Sequence, residues 1–322
     1  MKLDERTACL ERAFRYWRRH GFPYPVFSRA LAADEFYRLR KINARHLNHV
    51  LRYPSMVGLR IVNSFHPQMW TARVRGRTPL ECFNNDAIFR KSLERAIRFW
   101  PDRRCWNARS IRILCSIQNR SRVSNFRPTV ARALIDALST DGSQILDFSA
   151  GYGGRLLAAI SLPRRYVGID PAAAQGRGLR RMAAALGGEV QIITGCAEDV
   201  MASLPRRSFD LVFSSPPYFR LERYNDDESQ SCEKFPRYDQ WLRGFLTPII
   251  EYSRRLLRVG GRLALNVSNW PRHPVATDTA MIAERIFGQP ERVYNMKMST
   301  NPADKARRGK LLRSEPIFIY RK

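Results

Sequence analysis

Apolar residues in the first hundred positions recur at helical spacing, whereas beyond about residue 126 they gather into short runs separated by amphipathic stretches. In LDERTACLERAFRYWRRH (3–20), Leu3, Ala8, Leu10, Ala13, Phe14 and Trp17 fall near one face, and the GFPYP that follows stops the helix. A second helical stretch is expected through ADEFYRLRKINARHLNHVLR (33–52) and a third through NDAIFRKSLERAIRFW (85–100). Residues 1–115 therefore read as a basic, mainly helical region, a candidate for nucleic-acid binding, with a boundary between 110 and 125 and a second domain over 116–322. In that second part the runs at 144–148, 165–169, 190–194, 209–214 and 262–267 predict strands. Strands alternating with helices are the signature of an α/β fold with a mostly parallel sheet. An amphipathic helix is expected over 238–259, stopped by Gly260 and Gly261. ERVYNMKM and EPIFIY add a C-terminal hairpin, joined by a basic segment (299–313) that is a candidate phosphate contact.

Two strand ends carry chemistry. ILDFSAGYGGR follows the first strand with Asp147 at its end and Gly151, Gly153 and Gly154 in the turn, where the backbone bends tightly and a ligand can approach it. Nineteen residues after Gly151, the second strand ends at Asp170, a carboxylate suited to two ribose hydroxyls. The G-x-G-x-x-G spacing of dinucleotide sites is not met, and an ordinary glycine turn is the plainer alternative. The fourth strand runs FDLVFS and stops at Ser215-Pro216-Pro217-Tyr218. Two prolines cannot continue a ladder, so the carbonyls of Ser215 and Pro216 point beyond the strand end, where open α/β sheets bind ligands.

Charge adds a partner. The chain of 322 residues has 56 Lys and Arg against 29 Asp and Glu, a formal net charge of +27, with the excess denser toward the N-terminus. A polyanion is the expected partner, although a composition rich in Arg can also reflect the genome alone. Six cysteines show no C-x-x-C pair, so neither a disulfide framework nor a zinc site is expected, and a reducing, cytoplasmic setting (or the nucleus of a eukaryote) fits. His46 and His49 sit at i, i+3 without a second ligand pair, so no metal is expected. No run of 18 apolar residues and no signal-like N-terminus is present, and a soluble protein without a membrane partner is expected.

The motifs D-F-S-A-G-Y-G-G, G-I-D and S-P-P-Y in this order resemble the S-adenosylmethionine-dependent amino-methyltransferases that modify exocyclic nitrogens of nucleic-acid bases. The resemblance covers about residues 120–322 and includes NFRP (125–128), similar to the family's upstream cofactor segment. It implies a Rossmann-like class I methyltransferase sheet with S-adenosylmethionine as cofactor. Phe126 and Pro128, with Asp147, Ser149, Gly151 and Gly153, would hold the methionine end, Asp170 the ribose, and Cys196, Ala197 and Glu198 the adenine. The family often has an acidic residue where Cys196 stands. Ser215, Pro216, Pro217 and Tyr218 would be catalytic: the Ser215 hydroxyl and Pro216 carbonyl accept the two N–H groups of the target amine, and Tyr218 stacks on the flipped base.

Ser in the first place of the tetrad is the usual choice of cytosine-N4 enzymes in that family, so transfer to cytosine N4 of duplex DNA with a flipped base is the leading expectation. Adenine N6 in DNA, or a base amine of RNA, are the alternatives, with a non-catalytic nucleic-acid-binding protein of the same fold behind them. A protein-glutamine methyltransferase is disfavoured by the serine and by the charge. Carbon-5 methylation is disfavoured because no Pro-Cys dipeptide exists. The polar segment RLERYNDDESQSCEKFPRYDQ (220–240) reads as a lid or a solvated loop.

Overall fold

In the computed structural model the described residues are 3–73, 76–99, 107–117, 123, 125–220, 228–269, 272–297 and 314–322. They form two compact units: one from the described parts of Met1–Val26 and Pro67–Ser124, the other from Phe27–His66 and the described residues from Asn125 to Lys322. The sequence boundary near 115 therefore divides the chain differently from its packing, since residues 27–66 belong with the sheet.

The first unit is helical. Leu3–His20 buries Ala13, Phe14 and Trp17 against Phe83, Phe89 and Leu93 of the helices Pro79–Asn84 and Asp86–Phe99. Arg18 lies over the rings of Phe14, Phe83 and Phe89 and pairs with Asp86 at 2.9 Å, so its aliphatic stem and its charge are both used.

The second unit holds seven strands: β1 Gln144–Asp147, β2 Arg165–Asp170, β3 Val190–Thr194, β4 Phe209–Ser214, β5 Leu257–Asn266, β6 Arg292–Lys297 and β7 Ser314–Arg321. Their order is β3-β2-β1-β4-β5-β7-β6. β1 to β5 pair in parallel, and β7 runs antiparallel to both β5 and β6. This is a Rossmann-like, mostly parallel sheet with the expected C-terminal hairpin. The strand order reverses between β1 and β4, which places the ligand crevice at their carboxyl ends.

Two expected elements differ. The helix over 33–52 is broken into Arg29–Arg40 and Leu47–Arg52, because Asn43 caps a short 3-10 turn: its side chain accepts from Arg45 N at 3.1 Å. His46 Nδ1 accepts the Asn43 N–H at 3.2 Å, which gives this histidine a capping role. The helix expected to end at Gly260 and Gly261 ends at Leu256 instead, and both glycines lie within β5. Leu257 pairs with Phe209 and Arg262 with Leu211, so 258–261 bulge outward, and Gly260 takes the required φ of +80°. The basic segment 299–313 and residues 221–227 of the polar segment after the tetrad lie outside the described residues, and the rest of that polar segment contains the short helix Ser231–Lys234 and the start of Tyr238–Trp241 rather than being loop throughout.

Arg29–Arg40 and Leu47–Arg52 are tied to the sheet unit through Arg132. Its buried guanidinium donates to Arg40 O at 3.0 Å, Ile42 O at 2.5 Å and Ser161 Oγ at 2.7 Å. Leu47–Arg52 also packs against β6, where Lys297 Nζ sits 5.5 Å from the Tyr53 ring.

Candidate active site

Asp147 ends β1 completely buried. Its carboxylate accepts Arg155 Nε at 2.7 Å and Nη2 at 3.1 Å, Tyr166 OH at 2.7 Å, Ser214 Oγ at 2.8 Å and Ser149 N at 3.3 Å. Five donors on one carboxylate weld the ends of β1, β2 and β4 to the helix Gly154–Ile160. A buried charge of this kind is tolerable only when so completely satisfied. Asp147 thus shapes the glycine turn through its neighbours, and its side chain faces protein on every side.

The turn itself needs its glycines for two different reasons. Gly151 and Gly153 adopt φ +54° and +81°, the left-handed region. At Gly154 the constraint is space: a Cβ there would lie 2.2 Å from Phe126 O and 2.8 Å from Asn125 Oδ1. The NFRP segment therefore crosses directly over the turn. Phe126 meets Phe213 of β4 edge-on at 5.5 Å with the Arg155 guanidinium over its ring, and Pro128 starts the helix Pro128–Leu138.

Asp170 stands at the end of β2, buried. One carboxylate oxygen accepts Gly151 N at 2.9 Å and the other Ala172 N at 3.0 Å. Each oxygen keeps a further lone pair, an arrangement matched to a vicinal diol. Burial pushes this carboxyl up to about 7, against the pull of the two N–H groups.

After β3, Cys196 caps the helix Ala197–Ser203, with its Sγ 3.6 Å from Ser229 O. Ala197 and Glu198 are buried behind it. Cys196, Glu198 and Asp199 lie close enough to hold a cation, but Lys234 Nζ already sits 2.9 Å from Glu198 and 2.7 Å from Asp199. That ammonium supplies the positive charge of the cluster and closes one side of it.

At the end of β4, Ser215 Oγ and Tyr218 OH are 3.4 Å apart. The tyrosine hydroxyl reaches Asn266 Oδ1 of β5 at 3.5 Å and Glu315 Oε2 of β7 at 3.4 Å. Burial raises the Glu315 carboxyl above the usual range, only partly countered by Tyr218 and Asn266. Asn266 is anchored in turn by Pro316 O at 3.2 Å. Pro216 is buried and Pro217 half-buried. The next residue, Phe219, has φ +55°, a costly conformation for an aromatic residue, and its buried ring contacts Tyr238, Trp241 and His273.

All three sequence motifs therefore meet at one end of the sheet. Sequence reasoning missed Arg155, Tyr166, Ser214, Asn266, Glu315 and Lys234. An arginine in the first turn of a helix opposes the helix dipole, and that anomaly marked Arg155 as paired with a nearby anion. Nothing local announced Glu315, which reaches the site only because β7 inserts beside β5.

No family model matches the sequence, and no curated protein matches it. Among solved structures, it is similar to TrmN from Thermus thermophilus, with 20% identity, a TM-score of 0.37, and coverage of 61% of this chain and 48% of that one. This chain thus spans about half the length of TrmN. It is also similar to geranyl diphosphate methyltransferase in complex with SAM, at 18% identity and TM-score 0.41, covering 61% of this chain and 85% of that one. A SAM-dependent methyltransferase from Methanosarcina mazei matches at 15% identity and TM-score 0.43, covering 59% and 96% of the two chains.

Proposed function

We propose that this chain transfers a methyl group from S-adenosylmethionine to an exocyclic amino nitrogen of a nucleic-acid base, and specifically to N4 of cytosine in DNA. The observation that carries this reading is the convergence of the glycine turn, Asp170 and the Ser215–Tyr218 tetrad at the carboxyl ends of three adjacent strands, joined by the Ser214–Asp147 and Asp170–Gly151 hydrogen bonds. The site fits the cofactor. Gly151 has nothing closer than 3.8 Å where a side chain would stand, leaving the turn open, and Asp170 retains acceptors for both ribose hydroxyls. The backbone of 149–153 would hold the methionine end, and 196–198 the adenine. When bound, S-adenosylmethionine supplies an electrophilic sulfonium methyl.

The residues of the chain then do three things. The Ser215 hydroxyl and Pro216 carbonyl accept the N–H groups of the amine, drawing its delocalised lone pair toward tetrahedral geometry. The two prolines keep those acceptors fixed, which favours the transition state as positive charge grows on nitrogen. Tyr218, pinned through its hydroxyl to β5 and β7, holds its ring in a set plane on which a flipped base can stack, worth about 1–3 kcal/mol per base. Ser215 in the first place of the tetrad supports cytosine N4, and the charge of +27 supports a nucleic acid.

The test is mass spectrometry of nucleosides from DNA and RNA incubated with the protein and methyl-labelled S-adenosylmethionine. N4-methyl-2′-deoxycytidine from DNA, lost in Ser215→Ala with unchanged cofactor affinity, is the expected result. N6-methyladenine, or label confined to RNA, would replace the substrate, and no label in either would sink the reading.

A further inference from the structure

Far from the tetrad, the opposite end of the sheet carries a concavity of about 780 Å³ lined by Arg206, Arg207, Arg254, Arg255 and Lys322, with Glu251 as its one carboxylate. These residues come from the turn entering β4, the end of the helix Thr247–Leu256 and the last residue of the chain. Five cations around one anion repel each other. Lys322 shows the effect: partial burial, then Arg207, Arg254 and Arg206, hold its ammonium below the ordinary lysine value. Among the described residues, no carboxylate pairs with Arg206, Arg207 or Arg254. Arg207 also has φ +53°, a left-handed conformation that a side chain adopts at a cost.

The floor of the concavity is built before any ligand arrives. Lys322 Nζ donates to Leu257 O at 2.6 Å, and Arg255 Nη2 donates to Ala202 O at 2.9 Å. Arg255 Nε is buried and finds no acceptor among the described residues. An unsatisfied buried guanidinium N–H is destabilising until an acceptor is supplied. The rim consists of exposed guanidiniums, whose planar forks match phosphate oxygens.

We infer that this concavity is a second nucleic-acid contact, where Arg206, Arg207 and Arg254 take backbone phosphates. The inference rests on the reading that the chain acts on a nucleic acid. β4 spans six residues between Arg207 and Ser215, roughly 20 Å at about 3.3 Å per residue. A base held at Ser215 cannot bring its own phosphate that far, so the occupant is a distinct segment of the polymer. An open, arginine-rimmed basin suits such a segment better than a small enclosed anion.

The experiment is equilibrium binding of the full-length protein to a duplex of about 30 base pairs across a range of salt. Each phosphate contact adds about 0.9 to the logarithmic slope, so a triple variant with Arg206, Arg207 and Arg254 changed to alanine should have a slope shallower by about 2 to 3. Its cofactor affinity should be that of the parent. Glu251→Gln, which removes the only acidic side chain of the lining and leaves every arginine in place, should tighten duplex binding severalfold. The same proteins are titrated with inorganic tripolyphosphate. An unchanged slope in the triple variant, or unchanged binding in Glu251→Gln, overturns the assignment. Tripolyphosphate binding that depends on the arginines while the duplex slope stays constant would make this a small-anion site and equally overturn it. Failure of the parent to bind duplex at all would instead strike the functional reading itself.

Discussion

At the scale of single residues, the site divides into groups that hold the turn together and groups left with capacity to bind. Asp147 spends its whole acceptor capacity internally, whereas Asp170 does not. Because burial raises the Asp170 carboxyl to about 7 from 3.8, the folded chain holds that proton more tightly than the unfolded chain does. Its contribution therefore favours the fold below about pH 4 and is lost as pH rises through about 7. Hydroxyls donating to the ionised form work the other way, so calorimetry should find cofactor affinity increasing from about pH 6 to 8. Asp170→Asn should flatten that dependence and weaken binding by about 10- to 100-fold, the value of hydrogen bonds to a charged group. A pH-independent affinity in the parent would remove Asp170 from the ribose. The glycines make a separate prediction. Gly154→Ala forces a methyl against a carbonyl and should lower stability by about 1–3 kcal/mol, with loss of cofactor binding. Gly151→Ala meets no atom closer than 3.8 Å and bears only the left-handed backbone, about 1–2 kcal/mol. Thermal melts of the two separate a steric from a conformational requirement. The glycines, Asp170 and the tetrad were legible in the sequence because their residue types are unusual at strand ends. The reason for Gly154 was not, since it depends on Phe126 crossing 28 residues upstream.

At the scale of elements, the strands were legible and the allegiance of the early helices was not. Short apolar runs between amphipathic stretches can only be buried parallel strands, so β1 to β4 appear within a residue of their expected bounds. A helix, by contrast, announces that it has an apolar face but not what covers it. Residues 29–52 were grouped with their neighbours in sequence, whereas they satisfy Arg132 and pack on the sheet unit. A chain beginning at residue 116 should therefore fail to melt cooperatively, because Arg132 loses two of its acceptors and the helix that carries it loses the packing of residues 29–52. Joining 27–66 to 125–322 through a flexible linker should restore a cooperative transition followed by circular dichroism. If 116–322 alone unfolds cooperatively with the stability of the linked form, the helices are dispensable to the sheet.

At the scale of the whole molecule, a charge of +27 makes association with polyanions strongly dependent on salt. With about 6–10 phosphate contacts, raising salt from about 50 to 200 mM should lower duplex affinity by about 10³ to 10⁵, measured by fluorescence anisotropy. A weak salt dependence would place most of the positive charge away from the bound polymer. The packing of Leu47–Arg52 against β6 has a different kind of consequence, one that concerns time. From Arg52 to Arg292 the ribosome must add 240 residues before the partner strand exists. At about 5–20 residues per second that is a wait of roughly 12–48 s. Throughout it, the part of Leu47–Arg52 that β6 covers stays open on the nascent chain, although the helix Pro128–Leu138, which residues 29–52 also meet, is made much sooner. Synthesis of this protein should thus leave part of an early helix uncovered, within reach of chaperones, until β6 has been made.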